Sequence, residues 1–139
     1  MKPGTTQNCR DGYFASGDGQ YVATASGFYR WGGKSEDRHG WIFIWQLPEI
    51  ECRELVTPEE NRWFEAVAWS PDGGTIAAGT CNGMVCFFDA RSGDFVSEFL
   101  AHGAVITTVR FTVDGRYLMT ASEDGSVGIW SISEADSKR

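Results

Sequence analysis

This chain repeats itself, and that limits what it can fold into more than any other feature. Asp114-Gly115 follows Asp72-Gly73 by 42 residues, Asp124-Gly125 follows Asn82-Gly83 by 42, and Trp130 follows Phe88 by 42. Within Ala101–Trp130 three β-rich stretches, Ile106–Phe111, Arg116–Ser122 and Ser126–Trp130, are joined by Val113-Asp114-Gly115 and Glu123-Asp124-Gly125. Asp-Gly or Asn-Gly between such stretches marks a hairpin, because glycine takes the positive φ that a tight turn needs. One or two hairpins bury too little apolar surface to stand alone, so each copy needs the next. An earlier copy starts at Asp18-Gly19 and ends at Trp45, 43 residues before Phe88. Asp18 to Asp72 spans 54, and the eleven extra residues fall between Ser26 and His39.

Units of roughly 40–45 residues with four strands each are the sequence signature of a propeller blade. The residues then resemble one family in particular. Ala101-His102, Thr112-Val113-Asp114-Gly115 and Trp130-Ser131 stand where WD-repeat β-propellers carry Gly-His, a Ser-Pro-Asp-Gly turn and Trp-Asp. The second copy contributes Trp69-Ser70-Pro71-Asp72-Gly73 and Phe88-Asp89, and the first ends in Trp45-Gln46. The resemblance covers about residues 10–133, and is strongest in the third copy and weakest at the start of the first. It implies an all-β chain of roughly three antiparallel four-stranded WD-type blades, at about 10–56, 57–100 and 101–133, with a polar tail at 134–139. The ring is then incomplete unless oligomerisation or further chain completes it.

The resemblance also implies a buried hydrogen-bonded tetrad of His, Ser or Thr, Asp and Trp in each blade. In the third copy these are His102, Thr120 (or Ser122, on the same strand face), Asp124 and Trp130. Such a network stabilises only when every member has a partner. The second copy has Glu60, Ala78 or Thr80, Asn82 and Phe88 at these places, and the first has Thr6, Thr24, His39 and Trp45, so both sets are broken.

Composition fits this reading. Six Trp and nine Phe supply bulk for sheets covered on both faces, and stretches such as Thr75–Thr80 and Met84–Asp89 are apolar without alternation, as doubly covered strands are. The net charge of −7 argues against a nucleic-acid backbone as main partner, which calls for clustered Lys and Arg. No apolar run approaches membrane-spanning length, and no apolar stretch follows Met1-Lys2-Pro3-Gly4 as in a secretory signal. Cys9, Cys52, Cys81 and Cys86 lack the spacing of a zinc site. They read as reduced thiols of a cytoplasmic protein, with no metal and no cofactor. Thr57-Pro58-Glu59-Glu60 is a capping-box pattern that predicts one helical turn between copies one and two.

Gly27–Arg38 departs from the repeat. It combines Phe28, Tyr29 and Trp31 with Arg30, Lys34 and Arg38, and reads as a long loop on the same end of the blades as Trp63 and Glu123. These eight residues form a candidate partner-binding face, because Trp, Tyr and Arg dominate interface hot spots and loops on rigid scaffolds carry function. Folding back over apolar surface is the competing use of the aromatics.

No catalytic constellation accompanies these features. His39 and His102 are the sole histidines, and no nucleophile elbow, Walker or dinucleotide motif follows a strand. The expectation is a non-catalytic protein-interaction or scaffold module. The alternatives are a regulatory sensor fragment of a larger signalling protein and, in a different class, a ligand-binding or enzymatic propeller with a channel site. Propellers need about four to eight blades, so three predict a piece of a longer ring or a homo-oligomer closing head to tail.

Overall fold

The computed structural model describes residues 12–15, 20–29, 38–49, 51–55 and 64–132. Eleven strands form three antiparallel sheets, with no helix among the described residues. The first sheet runs β1 (Gly12–Ala15), β2 (Tyr21–Tyr29), β3 (Arg38–Gln46), β4 (Glu51–Leu55) in simple meander order. The second runs β5 (Phe64–Trp69), β6 (Thr75–Thr80), β7 (Met84–Asp89), β8 (Phe95–Leu100) in the same way. The third has β9 (Ile106–Phe111), β10 (Tyr117–Ser122) and β11 (Val127–Ser131). These are propeller-type blades in an unclosed stack. The capping-box residues Thr57–Glu60 lie outside the described residues.

Identical local chemistry builds the corresponding turns. Between β5 and β6 the Ser70 hydroxyl donates to Asp72 Oδ1 at 2.6 Å, the same oxygen accepts from Gly74 N at 2.9 Å, and Gly73 has φ +77°. Between β9 and β10 the Thr112 hydroxyl donates to Asp114 Oδ1 at 2.7 Å, and that oxygen accepts from Arg116 N at 3.0 Å. A short side chain that bonds the backbone two residues on replaces the missing ladder bonds at each reversal. Ladder irregularities recur too, between Phe64 and Ala66 of β5 and between Ala121 and Ser122 of β10. Each bulge lets Phe64 or Ile106 turn inward, and both are buried.

The first sheet corrects one expectation. Gly27, Phe28 and Tyr29 pair with Gly40, His39 and Arg38, continuing without a slip the register that starts at Tyr21 and Gln46. Most of the flanks of the inserted segment are therefore strand, and β2 and β3 reach nine residues where β6 and β7 have six. Aromatic residues favour the extended chain, and once two strands are in register each further pair adds ladder bonds with no new loop to close. Arg30, Trp31 and Lys34 lie outside the described residues, as do the side chains of Phe28, Tyr29 and Arg38.

Packing divides the core into two layers, one on each face of the second sheet. Val67, Trp69, Ile76, Ala78, Cys86 and Phe88 meet Ala23, Ile42, Ile44 and Leu55 of the first sheet. Ala66, Ala68, Ala77, Val85 and Phe87 meet Ile106, Val109 and Leu118 of the third. Successive side chains point to opposite faces, so a sheet covered twice needs apolar residues at every position, and β6 is buried along its whole length. A fully buried Phe or Ile contributes about 1.5–3 kcal/mol. The sheets approach closely where residues are small: a Cβ on Gly79 would lie 2.5 Å from Ile106 Cγ2.

Candidate functional site

The third sheet carries a continuous polar chain. The Trp130 indole donates to Thr120 Oγ1 at 2.9 Å. That hydroxyl lies 2.7 Å from His102 Nε2, and His102 Nδ1 lies 2.7 Å from Ser126 Oγ. Ser126 Oγ in turn donates to Asp124 Oδ1 at 2.5 Å. With His102 neutral and its proton on Nδ1, all donors point one way: indole to Thr120, Thr120 to Nε2, Nδ1 to Ser126, Ser126 to Asp124. Every buried polar atom in the row then has a partner. This tautomer is assigned from the network.

The four residues expected of the third copy are thus brought together, with Thr120 in the role for which Ser122 was the alternative. The Ser122 hydroxyl instead donates to the carbonyl of Val105 at 2.9 Å. Asp124 does not meet His102 by a direct hydrogen bond; its Oδ2 stands 3.4 Å from Nδ1, and Ser126 provides the link. The hydroxyl and backbone N–H of Ser126 and the backbone N–H of Gly103 hold the Asp124 carboxyl well below the usual carboxylate range. Asp124 accepts from Ser126 N at 2.8 Å and Gly103 N at 3.0 Å, so one side chain ties the β10–β11 turn to the β8–β9 connection.

Sequence reasoning missed Ser126 and Gly128. Gly128 pairs with Thr120 across the ladder, and a Cβ there would lie 2.4 Å from Trp130 Nε1 and 2.7 Å from Thr120 Oγ1. A glycine inside a strand is the signal that was available, since it marks close approach.

The other sheets hold fragments of this arrangement. In the second, the Thr80 hydroxyl bonds Asn82 Oδ1 and accepts from Met84 N at 3.0 Å. Phe88 packs edge-on against Phe64 and Phe95 at ring separations of 6.4 and 5.9 Å. In the first, Trp45 Nε1 donates to Thr24 Oγ1 at 3.0 Å. Thr6, Glu60 and the His39 side chain lie outside the described residues.

One end of the stack gathers the β6–β7 turn, the β8–β9 connection and the β10–β11 turn. Ala101 N and His102 N donate to Gly83 O at 2.9 and 3.1 Å, and Glu123 N donates to Val105 O at 3.0 Å. The Glu123 residue is exposed there on an anchored backbone. β2 and β3 are neighbours in the first sheet and stay paired out to Tyr29 and Arg38. Trp63 lies outside the described residues.

Thr120 and His102 are buried and committed to neighbours, so neither offers a nucleophile to a substrate. Among the described residues no three His, Cys, Asp or Glu side chains are grouped to hold a metal; Cys81 and Cys86 are not in a disulfide, and the Cys86 thiol lies 3.5 Å from Glu98 Oε2. An open groove of about 360 Å³ between β8 and β11 is lined by Phe87, Phe99, Trp130 and Ile132 with Ser97, Glu98 and Ser131. No helix of the described residues is long and apolar enough to cross a membrane.

Comparison with known proteins places these observations in a family. The model for the WD domain, G-beta repeat, matches residues 56–89 and 93–131, together more than half of the chain. The pre-rRNA-processing protein IPI3 of Mycosarcoma maydis is 30% identical over 92 residues, covering 66% of this chain and 15% of that protein. The Protein LST8 homolog of Drosophila melanogaster is 32% identical over 104 residues, covering 70% and 33%. The target of rapamycin complex subunit LST8 of Saccharomyces cerevisiae is 33% identical over 94 residues, covering 63% and 31%. The chain therefore spans a third or less of the length of these relatives. With two matched repeats, hairpin turns of one chemistry and blades stacked face to face, the chain belongs to the WD40 repeat family.

Proposed function

We propose that this chain is a non-catalytic protein–protein interaction module of WD-repeat type, working as part of a protein complex in the cytoplasm. The observation that carries the reading is the loop end of the stack. There three connections are tied to one another through Gly83, Val105 and Asp124, which presents a backbone of fixed shape to a partner. A relative is named as a subunit of the target of rapamycin complex, in keeping with this role. The partner-binding face comprises Phe28, Tyr29, Arg30, Trp31, Lys34, Arg38, Trp63 and Glu123, its cationic side chains suiting a partner with exposed carboxylates. The repeat bounds, 10–56, 57–100 and 101–133, belong to the same reading, and neither nucleic acid nor a cofactor has a part in it. Among the protein partners we count a second copy of the chain.

Replacing Tyr29, Trp31 and Trp63 together by Ala tests it. Co-purification of protein partners from an extract should be lost while the melting temperature stays within about a degree. Partner binding that survives the triple replacement overturns the face, and a melting temperature that falls with it assigns these aromatics to packing.

A further inference from the structure

Repeat positions make the two outer faces of the stack unequal, and complementary. In the first sheet Ala23, Ile42 and Ile44 face the second sheet, and in the second Ala77, Val85 and Phe87 face the third. All six are at most 4% exposed. The residues of the third sheet at the same repeat positions are Met119, Val127 and Ile129, which are 38%, 73% and 69% exposed. Cross-strand pairing of Met119 with Ile129 and Ala121 with Val127 makes this one surface.

The receiving side is equally defined. Ile76, Ala78 and Phe88 of the second sheet, and Leu118, Thr120 and Trp130 of the third, are the residues that accept the preceding sheet. In the first sheet these positions are Val22, Thr24 and Trp45. Val22 pairs with Trp45 across the ladder, and the Trp45 indole bonds Thr24. This face points away from the second sheet, since Ala23 points into it.

We propose that the Met119–Val127–Ile129 face of one chain docks on the Val22–Thr24–Trp45 face of a second copy, and that two copies close head to tail. This deepens the interaction-module reading by naming one partner. The occupant is a second copy because Val22, Thr24 and Trp45 hold on β2–β3 the repeat positions of Leu118, Thr120 and Trp130, which with Ile106 and Val109 form the sheet that covers Ala77, Val85 and Phe87. The three described sheets of each copy make six in a pair, within the usual four to eight blades of a propeller. The contact is heterologous, and a two-fold rotation closes it.

Solution mass by multi-angle light scattering on the purified full chain reads this out. Wild type should run at twice the 15.4 kDa chain mass. Ile129→Lys and, independently, Val127→Lys should each give a folded monomer whose melting temperature no longer depends on chain concentration, because both side chains face solvent in the single chain. Val22→Glu should also give a monomer. Mixing it with Ile129→Lys should restore a dimer, since such a pair retains one intact contact. A wild-type monomer, a trimer, or a dimer indifferent to both lysine variants overturns the proposal. Variants that stay monomeric on mixing overturn the head-to-tail geometry. None of these outcomes touches the Tyr29, Trp31 and Trp63 experiment, which addresses a different surface.

Discussion

Gly128 stands opposite Thr120 in the β10–β11 ladder, and the space a side chain on it would need is already filled by the Trp130 indole. The indole reaches the Thr120 hydroxyl only because that position of β11 carries no Cβ. A residue with no side chain thus decides whether the polar chain from Trp130 to Asp124 can form.

Gly128→Ala should therefore destabilise the chain by about 1–3 kcal/mol, the usual cost of forcing a methyl into a packed site. Gly103→Ala, where a Cβ would meet nothing within 4 Å, should be close to neutral. Denaturant unfolding of both variants checks this, as a shift of the midpoint at constant slope.

Thr120 is the node at which indole and imidazole meet. Thr120→Val keeps the shape but leaves the Trp130 N–H and His102 Nε2 without their partner, at about 1–3 kcal/mol for each group left unpaired in the interior. Thr120→Ser retains the hydroxyl and should recover most of that loss. Equilibrium unfolding of the two variants side by side separates the missing hydrogen bond from the altered packing.

Acid should weaken the fold through Asp124. Its carboxyl is held below the usual range by the Ser126 hydroxyl, the Ser126 N–H and the Gly103 N–H. A carboxyl whose pKa is lower in the folded state stabilises the fold above its unfolded value, about 3.9. That stabilisation is lost as pH falls through the folded value. Unfolding midpoints should then be flat near neutrality and decline below about pH 4. Asp124→Asn should lower the neutral plateau and flatten part of the decline. Asp114, held down chiefly by the Thr112 hydroxyl and then by the Arg116 N–H, should leave a residual slope in that variant.

The contact between the second and third sheets rests on Ile106 filling the space beside Gly79. Ile106→Ala should cost about 2–5 kcal/mol, as emptied core sites do. Val113→Ala, at the exposed tip of the β9–β10 turn, should stay within about 0.5 kcal/mol. Thermal or denaturant unfolding distinguishes them directly.

Much of this was legible in the residues alone because turn chemistry is local. Ser70-Pro71-Asp72-Gly73 and Thr112-Val113-Asp114-Gly115 each close a reversal with bonds inside five residues, so their spacing announced the hairpins. The insertion was less legible. Whether Gly27–Tyr29 continue β2 depends on their pairing with Arg38–Gly40, and no property of either stretch taken singly states that the register holds. Ser126 was missed for a related reason. In sequence it is a polar residue after a turn, and its place between His102 and Asp124 arises when the β8–β9 connection folds over the β10–β11 turn.

By itself the sequence determined the repeat, the hairpins and the all-β class, since each follows from short spacing or from a side chain's own chemistry, and the family resemblance pointed to His102, Asp124 and Trp130 of the third-copy polar chain. Tertiary structure alone decided which hydroxyl serves His102, that Gly128 must be bare, and which apolar faces are covered and which stand open. The first two are set by contacts within the third sheet and its connections, such as His102 with Thr120, 18 residues on, and the last by how one sheet seats on the next. Burial of Val85 and exposure of Val127, one residue type at one repeat position, differ for a single reason: a third sheet covers the first of them, and no described sheet covers the second.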